Sequence, residues 1–297
     1  MLNVGEPACA TRLTLRSCLA QREREAKLGV CDTGRYRCRY VEWGRGPTLV
    51  LIPGLASDAL SFVLLMARLS PHFHCISYHL PDGIADGARL RTYGHAELAA
   101  DLFALLDHLQ VRECIIAGAS FGSTVALTAL HQQPARFSYG ITLGGFAHRP
   151  LTGFEILTSS FVRFLPGRVA HLPLARQVLE RNHLATFQER EPELWEFYIE
   201  RSFGVPLRAF ASRLLMVGRL DLRPILSAIR TPVLMVCGDR DPLVGKTCEA
   251  DLQRGLPNVA RVEIEECGHE PHLTHPEVLA EALMQVLMPK FREAGCR

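Results

Sequence analysis

Residues 114–123 read Cys-Ile-Ile-Ala-Gly-Ala-Ser-Phe-Gly-Ser, an apolar run that passes through two glycines flanking one serine. The first four residues predict a buried strand, and the Ala/Leu/Thr-rich segment 123–131 predicts a helix. Residues 118–122 fit the pattern G-x-S-x-G, in which a serine occupies a sharp strand-to-helix turn and glycines allow close backbone approach. Ser120 is therefore a candidate nucleophile, which needs a base, an acid and an oxyanion hole from elsewhere in the chain.

The composition is that of an ordinary globular protein. The chain has 297 residues, 48% of them apolar and 22% charged, with a formal net charge of +2. This length suits a single α/β domain that carries an insertion. Positive and negative residues are interspersed, so we predict no nucleic-acid partner. No stretch has the length and apolarity of a signal segment or a membrane span.

Ten cysteines raise the question of a metal site or of disulfides. They contain no C-x-x-C pair, so we predict no zinc site. Cys75, Cys114 and Cys237 lie within apolar runs, where a free thiol behaves as a small buried hydrophobic group. We therefore expect a reducing compartment and a cytoplasmic protein.

Strand-like and helix-like segments alternate along most of the chain. Strands are predicted at residues 36–43, 48–52, 73–78, 114–117, 139–143, 232–237 and 260–264. Helices are predicted at about residues 57–69, 93–109, 123–131, 244–255 and 276–288. The first two strands are expected to form an antiparallel pair. The alternation elsewhere predicts an α/β fold with a mostly parallel sheet and helices on both faces.

The chain changes character after the strand at 139–143. Between residues 146 and 226 no buried strand is predicted, and aromatic residues are concentrated between prolines. We interpret this region as an inserted helical lid. The predicted domains are an N-terminal extension at 1–33, a core formed by 34–145 and 227–297, and a cap at 146–226.

The insertion also supplies candidate substrate contacts. Phe146, Phe154 and Trp195 are the candidate substrate-binding residues, although aromatic side chains at helical spacing more often pack a lid onto its core. Arg149, Arg163 and Arg168 could bind a carboxylate, with solvent exposure as the commoner role of such residues.

The loop at 267–271, Cys-Gly-His-Glu-Pro, follows a predicted strand and precedes the last helix. A catalytic base is expected in such a position, and we predict that His269 is this base. His272 and His275 are close enough in the chain to remain alternatives.

The loop at 238–242, Gly-Asp-Arg-Asp-Pro, follows the apolar strand at 232–237 and offers two carboxylates. We prefer Asp241 as the acid that orients the base, with Asp239 as the alternative. The resulting order Ser120, Asp241, His269 is the order described for G-x-S-x-G hydrolases.

Two backbone N–H groups are expected to hold the oxyanion that forms on an attacked carbonyl. Phe121 directly follows the nucleophile, and its N–H is the first. Leu55 lies in the turn Pro53-Gly54-Leu55 after an early apolar strand, and its N–H is the second.

These four motifs resemble the α/β-hydrolase superfamily, particularly its capped members with a helical lid, over about residues 36–290. The resemblance implies an eight-stranded sheet with the triad at its carboxyl end. Pro53 occupies a place where the family often has histidine, so a side chain that often orders the oxyanion loop is absent. Ala119 and Ser123 are milder departures. Serine at the apex argues against the epoxide hydrolase and haloalkane dehalogenase branches, which have aspartate there.

The sequence therefore predicts a serine hydrolase that cleaves an ester or related acyl compound. Its partner would be a small-molecule acyl substrate, apolar or aromatic, and its mechanism needs no metal or cofactor. A C–C bond hydrolase, an acyltransferase or a thioesterase using the same triad remains open. A non-catalytic ligand-binding module on the same fold is the alternative of a different class. The oligomeric state is not predicted.

Overall fold

A computed structural model of the chain describes residues 13–188 and 192–294, and a single eight-stranded sheet forms its centre. The strands are β1 (Lys27–Asp32), β2 (Arg37–Trp43), β3 (Thr48–Ile52), β4 (His74–Tyr78), β5 (Cys114–Ala119), β6 (Phe137–Leu143), β7 (Val233–Gly238) and β8 (Val259–Ile264). Their order in the sheet is β1-β2-β4-β3-β5-β6-β7-β8. The pairs from β4 to β8 are parallel, and β2 is antiparallel to both β1 and β4.

Helices cover the sheet and fill the long connection between β6 and β7. They are α1 (Leu15–Glu25), α2 (Val63–Leu69), α3 (His95–His108), α4 (Phe121–Gln132), α5 (Gly153–Val162), α6 (Ala175–Leu179), α7 (Ala185–Gln188), α8 (Pro192–Gly204), α9 (Leu207–Arg219), α10 (Arg223–Leu226), α11 (Lys246–Gly255), α12 (Pro271–Thr274) and α13 (Pro276–Ala294). Single 3₁₀ turns lie at Ala59–Phe62, Leu90–Thr92, Pro134–Arg136 and Val169–His171, and a π turn at Glu180–Leu184. Within the described residues, no helix is long and apolar enough to cross a membrane.

The predicted fold class is confirmed, because the sheet has eight strands, is mostly parallel and is flanked by helices. The side chains of β3 show why its sequence is apolar after Thr48. Leu49 and Leu51 belong to the apolar cluster on one face of the sheet, and Val50 and Ile52 belong to the cluster on the other. Because helices cover both faces of the sheet at this strand, side chains that point to either face are buried, and apolar residues are favoured at successive positions.

The predicted antiparallel pairing of the first two strands is wrong. The strand at 37–43 pairs with β1 and β4, while β3 lies between β4 and β5 and is parallel to both. The burial patterns give the reason. Strand β3 is buried at four of its five residues and needs neighbours on both sides, whereas β2 alternates between exposed and buried positions, as expected near a sheet edge.

Part of the segment predicted as an N-terminal extension contributes to the sheet and its covering layer. The hydroxyl of Thr14 accepts a hydrogen bond from the N–H of Ser17 and caps α1, which packs through Leu15 and Cys18 into the core. The following strand β1 forms the sheet edge. Only Cys31 is buried in β1, so its sequence lacks a clear alternation of apolar and polar residues. Residues 1–12 lie outside the described part of the chain.

The connection between β6 and β7 folds as helices, with one isolated β-bridge between Arg168 and Pro206 among its described residues. Its inner side carries an aromatic cluster of Phe187, Trp195 and Tyr198, whose ring centroids lie 5.0–5.7 Å apart. These rings belong to the same buried cluster as one face of the sheet. The described helices between β6 and β7, which are called the cap below, therefore pack on the core through aromatic side chains.

Candidate active site

Ser120 occupies the turn between β5 and α4 in a strained backbone conformation. Its φ is +50° and its ψ is −115°, a region that costs a residue with a Cβ atom free energy. The Ser120 N–H donates to Leu143 O at 2.8 Å, which ties the turn to the end of β6. A Cβ atom at Gly118 would collide with Gly122 O, and one at Gly122 would collide with Ile52 O. Only glycine fits at either position, as the motif predicts.

His269 and Asp241 form a buried pair at the carboxyl end of the sheet. His269 Nδ1 lies 2.7 Å from Asp241 Oδ2, and both side chains are 3% exposed. The other carboxylate oxygen of Asp241 accepts the N–H groups of Leu243 at 2.8 Å and Val244 at 3.0 Å. The carboxylate is thereby fixed in orientation. An Nδ1–H that donates to Asp241 leaves Nε2 as the basic nitrogen of the neutral ring.

The surroundings shift the pKa of each member of the pair. Burial alone would lower the pKa of His269, but the charge and hydrogen bond of Asp241 outweigh it and raise the pKa above its usual 6.5. Burial alone would raise the pKa of Asp241, but His269 and the N–H groups of Val244 and Leu243 hold it below its usual value. Asp241 is therefore ionised, and its charge stabilises a proton on His269.

The two loops that carry this pair are held against each other. Asp239 Oδ1 accepts the Cys267 N–H at 3.1 Å, and the Arg240 N–H donates to Cys267 O at 3.0 Å. A Cβ at Gly238 would collide with Cys267 O and Gly268 O. Asp239 thus ties the loop at 238–242 to the loop at 267–271, while Asp241 is the carboxylate that contacts the histidine ring.

Gly144 lies between the turn that carries Ser120 and the Asp241–His269 pair. It follows Leu143, the acceptor of the Ser120 N–H, and has a φ of +55°. A Cβ at Gly144 would lie 3.0 Å from His269 Nδ1 and 3.3 Å from Asp241 Oδ2. The structure thus brings Asp241 and His269 into contact and places Ser120 beside the same strand end. Among the described residues, no hydrogen bond joins Ser120 Oγ to His269.

The other two histidines of this region are engaged elsewhere. The His272 ring packs 4.6 Å from the Phe62 ring, and burial lowers its pKa to about 3. His272 Nε2 lies 3.4 Å from Glu270 Oε2, but without hydrogen-bond geometry. His275 is also buried, with Nδ1 lying 2.9 Å from Thr274 Oγ1. Of the three histidines, His269 is the one that contacts Asp241.

The predicted oxyanion donors lie at the elbow and at the turn after β3. Phe121 is the first residue of α4, so its N–H points out of a helix N-terminus, where partial positive charge favours an anion. Gly54 lies close to the elbow, since a Cβ on it would be 3.7 Å from Ser120 Cβ. The turn that carries Leu55 is therefore adjacent to Ser120.

A family model that describes the α/β hydrolase fold matches residues 47–276 of this chain. The chain belongs to this family. The resemblance predicted from the four motifs is thereby confirmed.

Named relatives of this α/β hydrolase include enzymes that act on esters and lactones. A pimeloyl-[acyl-carrier protein] methyl ester esterase from Vibrio vulnificus is 27% identical over 258 residues, covering 81% of this chain and 94% of that protein. A 3-oxoadipate enol-lactonase from Acinetobacter baylyi is 24% identical, covering 85% and 93%. The crystal structure of the enol-lactonase from Burkholderia xenovorans superposes with a TM-score of 0.78, 20% identity and coverage of 88% and 100%. The structural likeness supports the fold.

An arginine from the cap of this α/β hydrolase holds the turn Pro53-Gly54-Leu55, and no sequence motif marks it. Arg213 on α9 donates from Nη1 to Leu55 O at 2.9 Å. Its Nη2 donates to Pro81 O at 3.1 Å and to Asp82 Oδ1 at 2.7 Å. The side chain is 3% exposed. The cap thus fixes the carbonyl of the residue whose N–H is the second predicted oxyanion donor.

Two further ionisable groups near His269 were not singled out from the sequence. His183 in the cap is buried, its ring lies 6.3 Å from the His269 ring, and burial lowers its pKa to about 3. Glu270 follows His269, and burial raises its pKa to about 7, with the His269 charge acting in the opposite direction. His183 is therefore neutral near pH 7, whereas Glu270 titrates there.

The three aromatic residues predicted to bind substrate occupy different environments. Phe154 on α5 is 76% exposed, so its side chain faces solvent and is not brought to the elbow. Phe146 follows Gly145 at the end of β6 and is buried in the core. Trp195 is buried beside Phe187. A substrate contact by any of the three stays a prediction.

Proposed function

We propose that the protein is a serine hydrolase that cleaves a carboxylic ester or a related acyl compound through an acyl-serine intermediate. The observation that carries this proposal is the buried Asp241–His269 pair, 2.7 Å apart, beside the strand end that anchors the Ser120 elbow. The activities named for the esterase and lactonase relatives support the same class of reaction.

In the proposed mechanism each of these residues has a separate role. Ser120 Oγ attacks the substrate carbonyl while His269 Nε2 accepts the hydroxyl proton, and Asp241 stabilises the imidazolium that forms. The N–H groups of Leu55 and Phe121 hold the negative charge on the carbonyl oxygen. His269 then gives its proton to the leaving group. A water molecule, deprotonated by His269, releases the acid and restores Ser120.

The cap favours an apolar or aromatic acyl group. The base loop is covered by cap residues, since a Cβ on Gly268 would lie 2.8 Å from Thr186 Oγ1 of α7. Next to it lies the aromatic cluster of Phe187, Trp195 and Tyr198, with the neutral His183 against Tyr198. These side chains exclude water from the site and carry no fixed charge of their own.

Labelling with a fluorophosphonate probe tests the proposal. The folded protein is expected to be modified once, on the peptide that contains Ser120, as read by mass spectrometry. A panel of ester, thioester and vinylogous diketone substrates then separates esterase from thioesterase and C–C hydrolase activity. No labelling and no turnover of any substrate would favour a binding module on this fold. Modification of another serine would show that this other serine, and not Ser120, is the nucleophile.

The pH dependence of kcat/KM is expected to reflect the raised pKa of His269. The base must be neutral to accept the Ser120 proton, so activity is lost as pH falls through this pKa, with a midpoint above 6.5. Besides Asp241, the Glu270 charge raises the pKa and Arg149 lowers it. Replacement Glu270→Gln is therefore expected to move the midpoint to lower pH.

The control for this pH shift is Glu266→Gln, which changes an exposed carboxylate in the same loop that pairs with Arg240. Its midpoint is expected to match that of the wild type. A wild-type midpoint at or below pH 6.5, or equal shifts in both variants, would contradict the assignment of His269.

We also propose a cytoplasmic location. The support is the state of the cysteines, because the eight in the described residues are free and seven of them are buried. Burial raises the pKa of Cys114 and Cys237 to about 12, so these thiols stay protonated and unreactive.

A further inference from the structure

A cavity of about 640 Å³ lies between the cap and the segment that connects β4 to α3. Its described lining residues do not include Ser120, Asp241, His269 or Leu55. Helix α9 separates it from the turn that carries Leu55, since Ser212 and Met216 line the cavity while the neighbouring Arg213 binds that turn. The volume is within the range of small-molecule sites, about 300–1,000 Å³.

Arginines dominate the polar part of this cavity. Five of them line it, and the described lining residues include no Asp or Glu. They are Arg89, Arg91, Arg163, Arg208 and Arg219. None forms an ion pair with a carboxylate in the described part of the chain, whereas Arg176, elsewhere on the cap, pairs with Glu180 and Glu196. The positive charges around the cavity therefore repel one another without compensation.

Two of these guanidinium groups keep donors that the protein leaves unsatisfied. The Nε atoms of Arg163 and Arg208 are buried, and neither has a hydrogen-bond partner among the described residues. Buried donors without partners are costly, so the guanidinium groups of Arg163 and Arg208 would gain by turning towards an anion bound in the cavity, which supplies acceptors.

Phe164 positions two of the arginines. The guanidinium carbon of Arg163 lies 4.7 Å from the centre of its ring, and that of Arg91 lies 6.0 Å away. A ring face attracts a guanidinium group but does not neutralise its charge. The groups are thus held in place and remain free to bind an anion.

Much of the remaining wall of the cavity is apolar. It includes the side chains of Leu90, Leu215 and Met216. Near its arginines, Phe161 and Phe164 are among the large apolar side chains that the cap exposes to solvent. A small inorganic anion would leave this apolar surface unused, whereas an alkyl chain would cover it.

We propose that this cavity is a binding site, separate from the Ser120 elbow, for an amphipathic anion with an alkyl chain and a carboxylate or phosphate head. The arginines bind the head, with the guanidinium groups of Arg163 and Arg208 turning to donate to it. The chain packs on Leu90, Leu215 and Met216. The site does not depend on Ser120 being a nucleophile.

Isothermal titration calorimetry on the full-length protein tests this site. Dodecanoate and dodecyl phosphate, each below its micelle concentration, are the probes, and saturable binding of at least one is expected. Dodecyltrimethylammonium has the same chain and the opposite charge and is expected not to bind. Stronger binding of dodecanoate would identify a carboxylate head, and stronger binding of dodecyl phosphate a phosphate head. Binding of neither anion, or equal binding of the cation, would overturn the proposal.

Variants locate the binding. Arg163→Gln combined with Arg208→Gln is expected to weaken binding at least about tenfold, because charge-assisted hydrogen bonds are lost. The control is Arg181→Gln, an exposed cap arginine outside the cavity, with affinity unchanged. Replacing the exposed pair Arg89 and Arg91 by Gln gives a second test that leaves the buried donors intact, with weaker binding again expected. Thermal unfolding verifies that each variant is folded.

Ser120→Ala and the fluorophosphonate-labelled protein distinguish this site from the elbow. Ser120→Ala is expected to bind the anion with wild-type affinity whether or not Ser120 proves to be the nucleophile. Protein labelled on Ser120, which is obtained when Ser120 reacts, is expected to do the same. Loss of binding in either would place the anion at the elbow and overturn the proposal, as would unchanged affinity in the arginine variants.

Discussion

Ser120→Ala is expected to lower kcat for ester hydrolysis by about 10⁶-fold, the loss typical of removing a triad nucleophile. The substitution removes the only atom placed to form the acyl bond in the proposed mechanism. A residual rate above that in water is expected, because the Leu55 and Phe121 N–H groups still stabilise an oxyanion. Steady-state kinetics with a p-nitrophenyl ester measures the effect.

The matched control is Ser123→Ala, which changes the neighbouring serine of the same motif. Ser123 Oγ donates to Ser120 O and is fully buried, so its loss is expected to cost stability, about 1 kcal/mol, with the nucleophile intact. Thermal unfolding and kcat together separate these effects. If Ser120→Ala kept more than about one hundredth of the wild-type kcat, a role for Ser120 as nucleophile would be excluded.

Asp241→Asn is expected to lower kcat by about 10⁴-fold, as in triads where the acid becomes an amide. Asp241 Oδ1 accepts two backbone N–H groups, which would hold the amide oxygen there and turn its NH₂ group towards His269. An NH₂ group donates to Nδ1 and so favours the tautomer with the proton on Nε2. That tautomer cannot take the proton of Ser120.

Asp239→Asn is the matched control for this substitution, two residues away in the same loop. An asparagine there can still accept the Cys267 N–H through its oxygen, so kcat is expected to stay within about tenfold of the wild type. The reverse outcome, with Asp239→Asn inactive and Asp241→Asn active, would transfer the role of the acid to Asp239.

Local sequence patterns predicted much of the sheet and the elbow because the interactions that decide them lie close in the chain. The strand at 48–52 was predicted with the bounds that the structure has. Gly118 and Gly122 are required by contacts within and beside the elbow. Strand pairing depends instead on distant segments, so chain adjacency wrongly suggested that β2 pairs with β3.

The cap residues near the site could not be predicted for the same reason. Arg213 meets Leu55 across 158 positions of sequence, and His183 meets His269 only through the folded cap. An arginine or a histidine in the sequence does not indicate by itself which distant residue it will contact. The choice between Asp239 and Asp241 also depended on side-chain direction, which the sequence pattern does not contain.

Arg213 has a consequence for how the cap can move. A buried guanidinium group that loses its acceptors is costly, and leaving Leu55 O and Asp82 would remove two of them together. Helix α9 therefore belongs to the cap in sequence, but the hydrogen bonds of Arg213 fix it to the core. We expect any opening over the elbow to hinge before α9, so that the substrate of the proposed reaction enters and its product leaves while the turn that carries Leu55 keeps its shape.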